Sequence, residues 1–175
     1  MSNAEFSEFF LAHGIDFERN PRSPLEVEFR RLAHKRGWTE KNGLFKKHWH
    51  ECLVSELRFR FRDVLRCKTK HEALKALCDM IVDEQETEEI TRYMHPINKT
   101  EFLKRMDTSS TKACIKILRR YGIINLIEWI DSQREQTYPV RFPSTRQYGK
   151  YTGHTKNFVP SSVIRQVPIL KVLLR

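Results

Sequence analysis

The sequence predicts an all-α fold, in which about six to eight helices form a single compact domain of 175 residues. Apolar residues recur at helical spacing, capping residues and Gly mark the ends of these segments, and no segment alternates apolar and polar residues as a strand does. We expect an N-terminal arm over 1–22, a helical core over 23–136, an irregular basic segment rich in Pro, Gly and aromatic residues over 137–161, and a C-terminal helix over 162–175.

The first strong helix signal is Ser23-Pro24-Leu25-Glu26. Ser23 is expected to cap the helix, Pro24 suits the first helical position, and Glu26 completes a capping box. Apolar residues then recur at helical spacing up to Gly37, which is placed to end the helix in a left-handed conformation. The predicted helix therefore runs from about 24 to 36.

A longer helix is predicted from Asn42 to about Arg66, followed by another that Thr69 and Glu72 start with a second capping box. The buried stripes of these two helices are predicted to be Phe45, Trp49, Cys52, Leu53, Leu57, Phe61 and Val64 in the first, and Leu74, Leu77, Cys78 and Ile81 in the second.

The second half of the chain predicts shorter helices. A short helix over 98–106 follows the break at His95-Pro96, and two helices that meet near Gly122 should form a hairpin. Residues 137–161 predict irregular structure with one helical turn over 144–150. Pro168 should delay the start of the C-terminal helix or kink it. The apolar pattern up to Leu174 would also suit a helix that is cut short within a longer protein.

The sequence carries no recognisable active site. It has no phosphate-binding Gly loop, no nucleophile elbow and no carboxylate pair in a distinctive context, so we expect neither catalysis nor a cofactor. No apolar run reaches the roughly 20 residues that span a bilayer. Of the four Cys at least three fall on apolar helical stripes, which favours a reducing compartment. We expect an intracellular protein without membrane contact, in the nucleus rather than the cytoplasm.

The net charge of +10 is unevenly distributed and favours an anionic partner. Residues 41–75 hold ten basic and four acidic side chains, and 138–175 hold seven basic and none acidic. Neutralisation of phosphates, with base stacking in the aromatic tail, would make this a nucleic-acid-binding module. The candidate binding residues are Lys46, Lys47, Arg58, Arg62, Arg66, Arg119, Arg120, Arg146, Tyr148, Lys150, Tyr151 and Lys156.

Two other interpretations of these charges stay open. The basic faces of the helices are also explained as solvated surface, with the tail aromatics anchoring an irregular segment to the core. The alternative function is a protein-interaction or scaffold domain that recognises an acidic or apolar partner segment. A nucleic-acid contact should weaken steeply with salt, whereas an apolar groove should bind its partner at high salt.

A zinc site is the weaker alternative among site hypotheses. His48 and Cys52 are spaced i, i+4, and Cys67 and His71 repeat that spacing, so four zinc-binding side chains are available. Against this set, Cys52 falls on the predicted buried stripe and Thr69 breaks the helix of the second pair. Core cysteines and surface histidines are the simpler interpretation.

The order of features along the whole chain resembles a small uncharacterised fungal family of all-helical domains. The resemblance implies an all-helical fold and a fungal origin, and it implies no activity. Its marks are Phe9-Phe10 with Ile15-Asp16-Phe17, Glu28-Phe29 and Leu32 closed by Gly37-Trp38, the hairpin from Lys112 to Asp131, and the tail from Tyr151-Thr152 through Phe158-Val159-Pro160 to Leu170, Leu173 and Leu174.

Overall fold

The computed structural model describes residues 7–13, 15–83, 107–121, 124–137, 139–140, 142, 144–155 and 157–173. Within these ranges the chain forms nine α-helices, one 3-10 helix and no strand, which confirms the all-α class. The α-helices are α1 (Glu8–His13), α2 (Leu25–Arg36), α3 (Leu44–Arg60), α4 (Arg62–Arg66), α5 (Lys70–Asp83), α6 (Thr111–Tyr121), α7 (Leu126–Glu135), α8 (Thr145–Thr155) and α9 (Ser161–Ile164), and the 3-10 helix is Pro168–Leu173.

Helix α3 is the centre of the packing, since it contacts α1, α2, α4, α7 and α9. Its side chains Cys52, Leu53 and Leu57 are fully buried, as the predicted stripe requires. Phe45 and Trp49 of the same stripe are partly buried and pack on the edge of the core. Burying a large apolar side chain contributes about 1.5–3 kcal/mol, so this stripe holds the neighbouring helices on α3.

Helix α5 forms a second packing centre with α4, α6 and the 3-10 helix. Its predicted stripe is buried, and the Cys78 thiol donates to the Cys114 carbonyl of α6 over 3.6 Å. The sequence predicts a hairpin of α6 and α7, but α6 packs chiefly on α5 whereas α7 packs on α2 and α3. The apolar faces of these two helices are covered by different partners, so the hairpin prediction is wrong.

The long helix predicted over 42–66 is two helices, because Phe61 leaves α-helical geometry between α3 and α4 (φ −99°, ψ 20°). Phe61 is fully buried and stacks on Trp129 of α7, with ring centroids 4.4 Å apart. Backbone hydrogen bonds nevertheless continue from the Phe61 N–H to Leu57 and from the Leu65 N–H to Phe61. Residues four apart therefore stay in helical register across the break.

The start of α2 differs from its predicted capping box. Pro24 is the N-cap residue, and no side chain of its own segment caps the helix. The Leu25 N–H instead donates to Asp131 Oδ1 of α7 over 2.6 Å. A contact from a distant segment thus takes the place of the expected Ser23 cap. Gly37 ends α2 as predicted, in the left-handed region at φ 67°.

The second capping box is confirmed at α5. The Thr69 N–H donates to Glu72 Oε2 over 3.0 Å, and the Glu72 N–H donates to Thr69 Oγ1 over 3.2 Å. Both partners of this box lie within four residues of each other, so local sequence is enough to specify it.

The C-terminal third departs most from the sequence prediction. Helix α8 occupies eleven residues where one turn of an irregular segment was expected, and the Gln147 N–H donates to Ser144 Oγ at its start. The ring of Phe142 contacts Tyr148 and Tyr151, one turn apart on α8, and these contacts favour the helix although its two exposed glycines lower its helix propensity. In place of the single C-terminal helix that the sequence predicted, the chain forms α9 and a 3-10 helix that starts at Pro168.

The predicted short helix over 98–106 lies outside the described residues. Among the helices that the structure describes, none is both long enough and apolar enough to cross a membrane.

Candidate functional site

Three of the predicted arginines form one exposed row, here called the arginine ridge (Arg58, Arg62 and Arg66). Their spacing of four residues keeps them on one helical face across the break at Phe61, at intervals of about 6 Å along the axis. The ridge lines a cleft of about 610 Å³, here called the ridge cleft. The structure thus brings together three of the twelve candidate binding residues that the sequence predicted.

The other walls of the ridge cleft combine apolar, polar and acidic groups. Arg62 lies over the ring of Phe59, with 5.7 Å between its guanidinium carbon and the ring centroid. Two carboxylates also line the cleft and moderate its positive charge. The complete lining is Glu8, His50, Glu51, Val54, Ser55, Arg58, Phe59, Arg62, Arg66 and Gln166.

Arg60 stays out of the ridge because it turns inward to a buried carboxylate. Arg60 Nε lies 3.7 Å from Glu56 Oε2, and Arg134 Nη1 of α7 lies 3.8 Å from Glu56 Oε1. Arg134 also donates to the carbonyls of Ser23 and Asn20, over 2.6 and 3.0 Å. This buried network joins α3, α7 and the loop before α2, and so serves the fold rather than a surface partner.

The ridge is only lightly paired with acidic side chains. Asp63 lies 3.8 Å from Arg66, and both side chains are more than 70% exposed. An ion pair with this exposure contributes little free energy, because water and salt screen it. The Arg66 guanidinium is therefore free to exchange Asp63 for another anion.

Lys46 and Lys47 lie in the first turn of α3 and are exposed, but neither lines the ridge cleft. Eleven residues separate Lys47 from Arg58, which corresponds to about 16 Å of helix. The two lysines therefore extend the basic surface along α3 instead of deepening the cleft.

The basic residues of α6 lie along a second cleft, of about 820 Å³. Arg119 lines it together with Lys112 and Lys116, and Asp107 contributes a carboxylate. The Arg120 side chain lies outside the described residues. Arg119 and the arginine ridge thus belong to two separate depressions.

On α8 the predicted basic residues and the predicted aromatic residues differ in their exposure to solvent. Arg146 and Lys150 are exposed, whereas Tyr148 is half-buried against Phe142. The Tyr151 hydroxyl donates to Glu128 Oε1 of α7 over 2.7 Å, and burial together with this carboxylate raises its pKa to about 12. The two tyrosines anchor α8 through these contacts. Lys156 lies outside the described residues.

The structure does not assemble the predicted zinc set of His48, Cys52, Cys67 and His71. Cys52 is fully buried in the core, and burial raises the pKa of its thiol, which disfavours the thiolate that zinc needs. His71 Nε2 lies 2.8 Å from the Thr108 carbonyl, and Cys67 donates to the Asp63 carbonyl. These four side chains do not form a group of ligands among the described residues, so this weaker alternative is wrong.

A different group of potential metal ligands does converge, and sequence reasoning missed it. His13 at the end of α1 meets His48 and Glu51 of α3, with one ligand atom from each residue within 4.8 Å of the other two. Among the described residues, this is the one place where at least three potential metal ligands come together. For two of the three ligands the sequence did contain a signal, because His48 and Glu51 lie one helical turn apart.

No family model, no curated protein and no solved structure matches this chain.

Proposed function

We propose that this protein is a non-catalytic module that binds nucleic acid, with the ridge cleft as the principal contact. The observation that carries the proposal is the arginine ridge, three exposed guanidinium groups in register along one wall of a cleft. Arginine binds phosphate through a planar fork of N–H donors, and three such groups at helical spacing suit a row of phosphates. The net charge of +10 supports the same partner class, and a nuclear location belongs to this proposal.

The contact we propose is to phosphates rather than to base edges. The aromatic side chain in the cleft, Phe59, already has the guanidinium groups of Arg60 and Arg62 over its ring at 5.3 and 5.7 Å. A base would have to displace these cations in order to stack there. Binding through the ridge should therefore depend weakly on nucleotide sequence and strongly on salt.

The other basic surfaces are proposed as secondary contacts. Lys46 and Lys47 extend the ridge along α3, and Arg146 and Lys150 add exposed charge on α8. Arg119 belongs to the separate cleft on α6. Tyr148 and Tyr151 are left out of the contact surface, since they pack against Phe142 and Tyr151 also binds Glu128.

The test is a salt series of fluorescence anisotropy titrations with single-stranded and double-stranded DNA and RNA. The test variant replaces Arg58, Arg62 and Arg66 together by Gln. A control variant replaces Lys70, Lys75 and Lys171 by Gln, which removes the same charge from exposed positions outside the cleft. If the ridge contacts three phosphates of a duplex, its loss should lower the slope of log K against log salt by about 2 to 3.

The two variants together decide the proposal. We expect the ridge variant to lose binding at physiological salt while the control variant keeps most of it. Equal losses in both variants would assign binding to overall charge, and unchanged binding by a folded ridge variant would exclude the ridge cleft. Circular dichroism and thermal unfolding establish that both variants are folded.

An acidic or apolar segment of a protein partner is the second candidate for this cleft. The observation in its favour is the mixed lining, in which Val54 and Phe59 lie beside the carboxylates of Glu8 and Glu51. Such a surface can contact apolar side chains as well as charge. Two results together would support this candidate. The protein should not bind nucleic acid even at low salt, and it should retain a protein partner from cell extract at high salt that the ridge variant does not retain.

A further inference from the structure

Two histidines and a glutamate from separate parts of the chain meet at the junction of α1 and α3. His48 Nδ1 lies 2.7 Å from Glu51 Oε2, one turn further along α3. The imidazole ring of His13, the last residue of α1, has its centroid 5.4 Å from that of His48. Their ligand atoms all lie within 4.8 Å of one another.

We propose that His13, His48 and Glu51 bind one zinc ion that links α1 to α3. Two imidazole nitrogens and one carboxylate oxygen, with water in the fourth position, form a common zinc ligand set. Zinc bonds of 2.0–2.2 Å place the ligand atoms of a tetrahedral site about 3.4 Å apart. Side-chain rotations that move the ligand atoms by roughly 1 Å therefore bring all three within bonding distance of one ion. The zinc ion would take the place of the hydrogen bond between His48 and Glu51.

The surroundings of the cluster hold the imidazole rings in place. Trp38 stacks on His48 with 3.9 Å between centroids and meets His13 edge-on at 5.4 Å. Phe9 lies 4.7 Å from the ring of His13. Arg36 donates from Nε and Nη2 to the His13 carbonyl, over 3.0 and 2.7 Å, which anchors the end of α1. A site whose ligands are already oriented loses less entropy when the ion binds.

The cluster is accessible to a metal ion, since His13 and His48 are only partly buried. The carboxylate of Glu51 is 45% exposed, so an ion can reach the site from solvent.

A simple ion pair between His48 and Glu51 does not account for the whole cluster. That pair would form equally well without the second imidazole, whose ring centroid lies 5.4 Å from that of His48. One divalent cation satisfies both rings and the carboxylate together. The two imidazole ligands favour zinc and related transition metals over magnesium and calcium, which prefer oxygen ligands.

The test uses tag-free protein, freed of metal with a chelator and kept reduced, in calorimetric titrations with zinc chloride. We expect one zinc per chain, and we expect His13→Gln, His48→Gln and Glu51→Gln each to weaken binding by at least about tenfold. His34→Gln and His154→Gln remove exposed histidines elsewhere, and Cys67→Ser removes the half-exposed thiol, so these three variants should bind zinc like the unaltered protein.

A measurement on the unaltered protein covers the case in which a ligand variant does not fold. Cobalt(II) bound by nitrogen and oxygen ligands should give visible d–d absorption without the intense near-ultraviolet band of cobalt–thiolate bonds, and zinc should displace it. A thiolate band would place the metal on cysteines and overturn the proposal. The absence of stoichiometric zinc binding, equally tight magnesium binding, or unchanged affinity in all three folded ligand variants would also overturn it.

Discussion

Glu51 faces both proposed sites, since its carboxylate lies 2.7 Å from His48 Nδ1 and also lines the ridge cleft beside Arg58. One side chain therefore contributes a ligand atom to the metal cluster and a negative charge to the wall of a cleft that should attract anions. These roles make opposite demands on its charge, which allows a single substitution to test both sites.

Glu51→Gln is expected to weaken zinc binding and to strengthen binding of nucleic acid. The amide is a poorer zinc ligand than the carboxylate, whereas the loss of a negative charge from the ridge cleft removes repulsion of phosphates. The gain in nucleic-acid affinity should be at most about threefold, because water and salt screen a charge at the edge of a cleft. Calorimetry with zinc and anisotropy with duplex DNA in the presence of chelator measure the two effects separately.

Glu135→Gln is the matched control, since it removes the same charge from an exposed position at the end of α7. It should change neither affinity beyond the effect of one unit of net charge. If Glu51→Gln and Glu135→Gln give the same two affinities, Glu51 has no role in either site.

Arg134→Met is expected to destabilise the fold by about 3 to 5 kcal/mol, the range measured when one partner of a buried ion pair is removed. The Arg134 and Glu56 side chains are both almost fully buried, and the substitution leaves Glu56 with Arg60 as its remaining cation. It also removes the donors to the Ser23 and Asn20 carbonyls. Urea unfolding followed by circular dichroism measures the loss.

Arg146→Met provides the comparison on an exposed side chain of α8 and should change the free energy of unfolding by less than about 0.5 kcal/mol. Similar effects of the two substitutions would mean that the buried network contributes nothing beyond an ordinary surface arginine.

The parts of the fold that the sequence predicted are those specified by neighbouring residues. Gly37 ends α2, and Thr69 with Glu72 starts α5, because each of these signals acts within one helical turn. The Ser23 cap failed for the opposite reason. Its place is taken by Asp131, 106 residues from Leu25, and no local pattern indicates which distant carboxylate will reach a helix start.

The same distinction applies to the candidate sites. The three residues of the arginine ridge were among the predicted contacts, and their spacing of four residues is visible in the sequence because it acts within successive helical turns. The metal cluster needs α1 to pack on α3, and this packing depends on the complete core. Tyr151 was predicted as a nucleic-acid contact from composition, but its hydroxyl binds Glu128, a partner that the pattern of tail residues does not reveal.

Gly37→Ala is expected to destabilise the protein by about 1 to 2 kcal/mol. An added Cβ would meet no atom within 4 Å, so the cost comes from the backbone, which is held at φ +67°. Gly149→Ala is the matched control, because it lies inside α8 with equal space for a Cβ and should stabilise by about 0.5 to 1 kcal/mol. Thermal unfolding of the two variants should therefore shift in opposite directions, and a shared direction would contradict this account of Gly37.

Asp131 should make the stability of the fold depend on pH between about 4 and 6. Burial is the main cause that raises its pKa from 3.8 to about 6, and the hydrogen bond from the Leu25 N–H opposes this shift. The folded protein thus holds this proton more tightly than the unfolded chain does. The resulting stabilisation is complete below pH 4 and is lost as the pH rises through 6.

Asp131→Asn tests this dependence, because the amide oxygen can still accept the Leu25 N–H while the buried charge is gone. Relative to this variant, the unaltered protein should lose about 1 to 2 kcal/mol of stability from pH 4 to 7, less than the full pKa difference implies because the carboxyl is partly solvated. Urea unfolding at several pH values in that range measures the difference. Parallel stability profiles for the two proteins would show that Asp131 ionises in the folded state as it does in the unfolded chain, and that the α2 cap tolerates its charge at no cost.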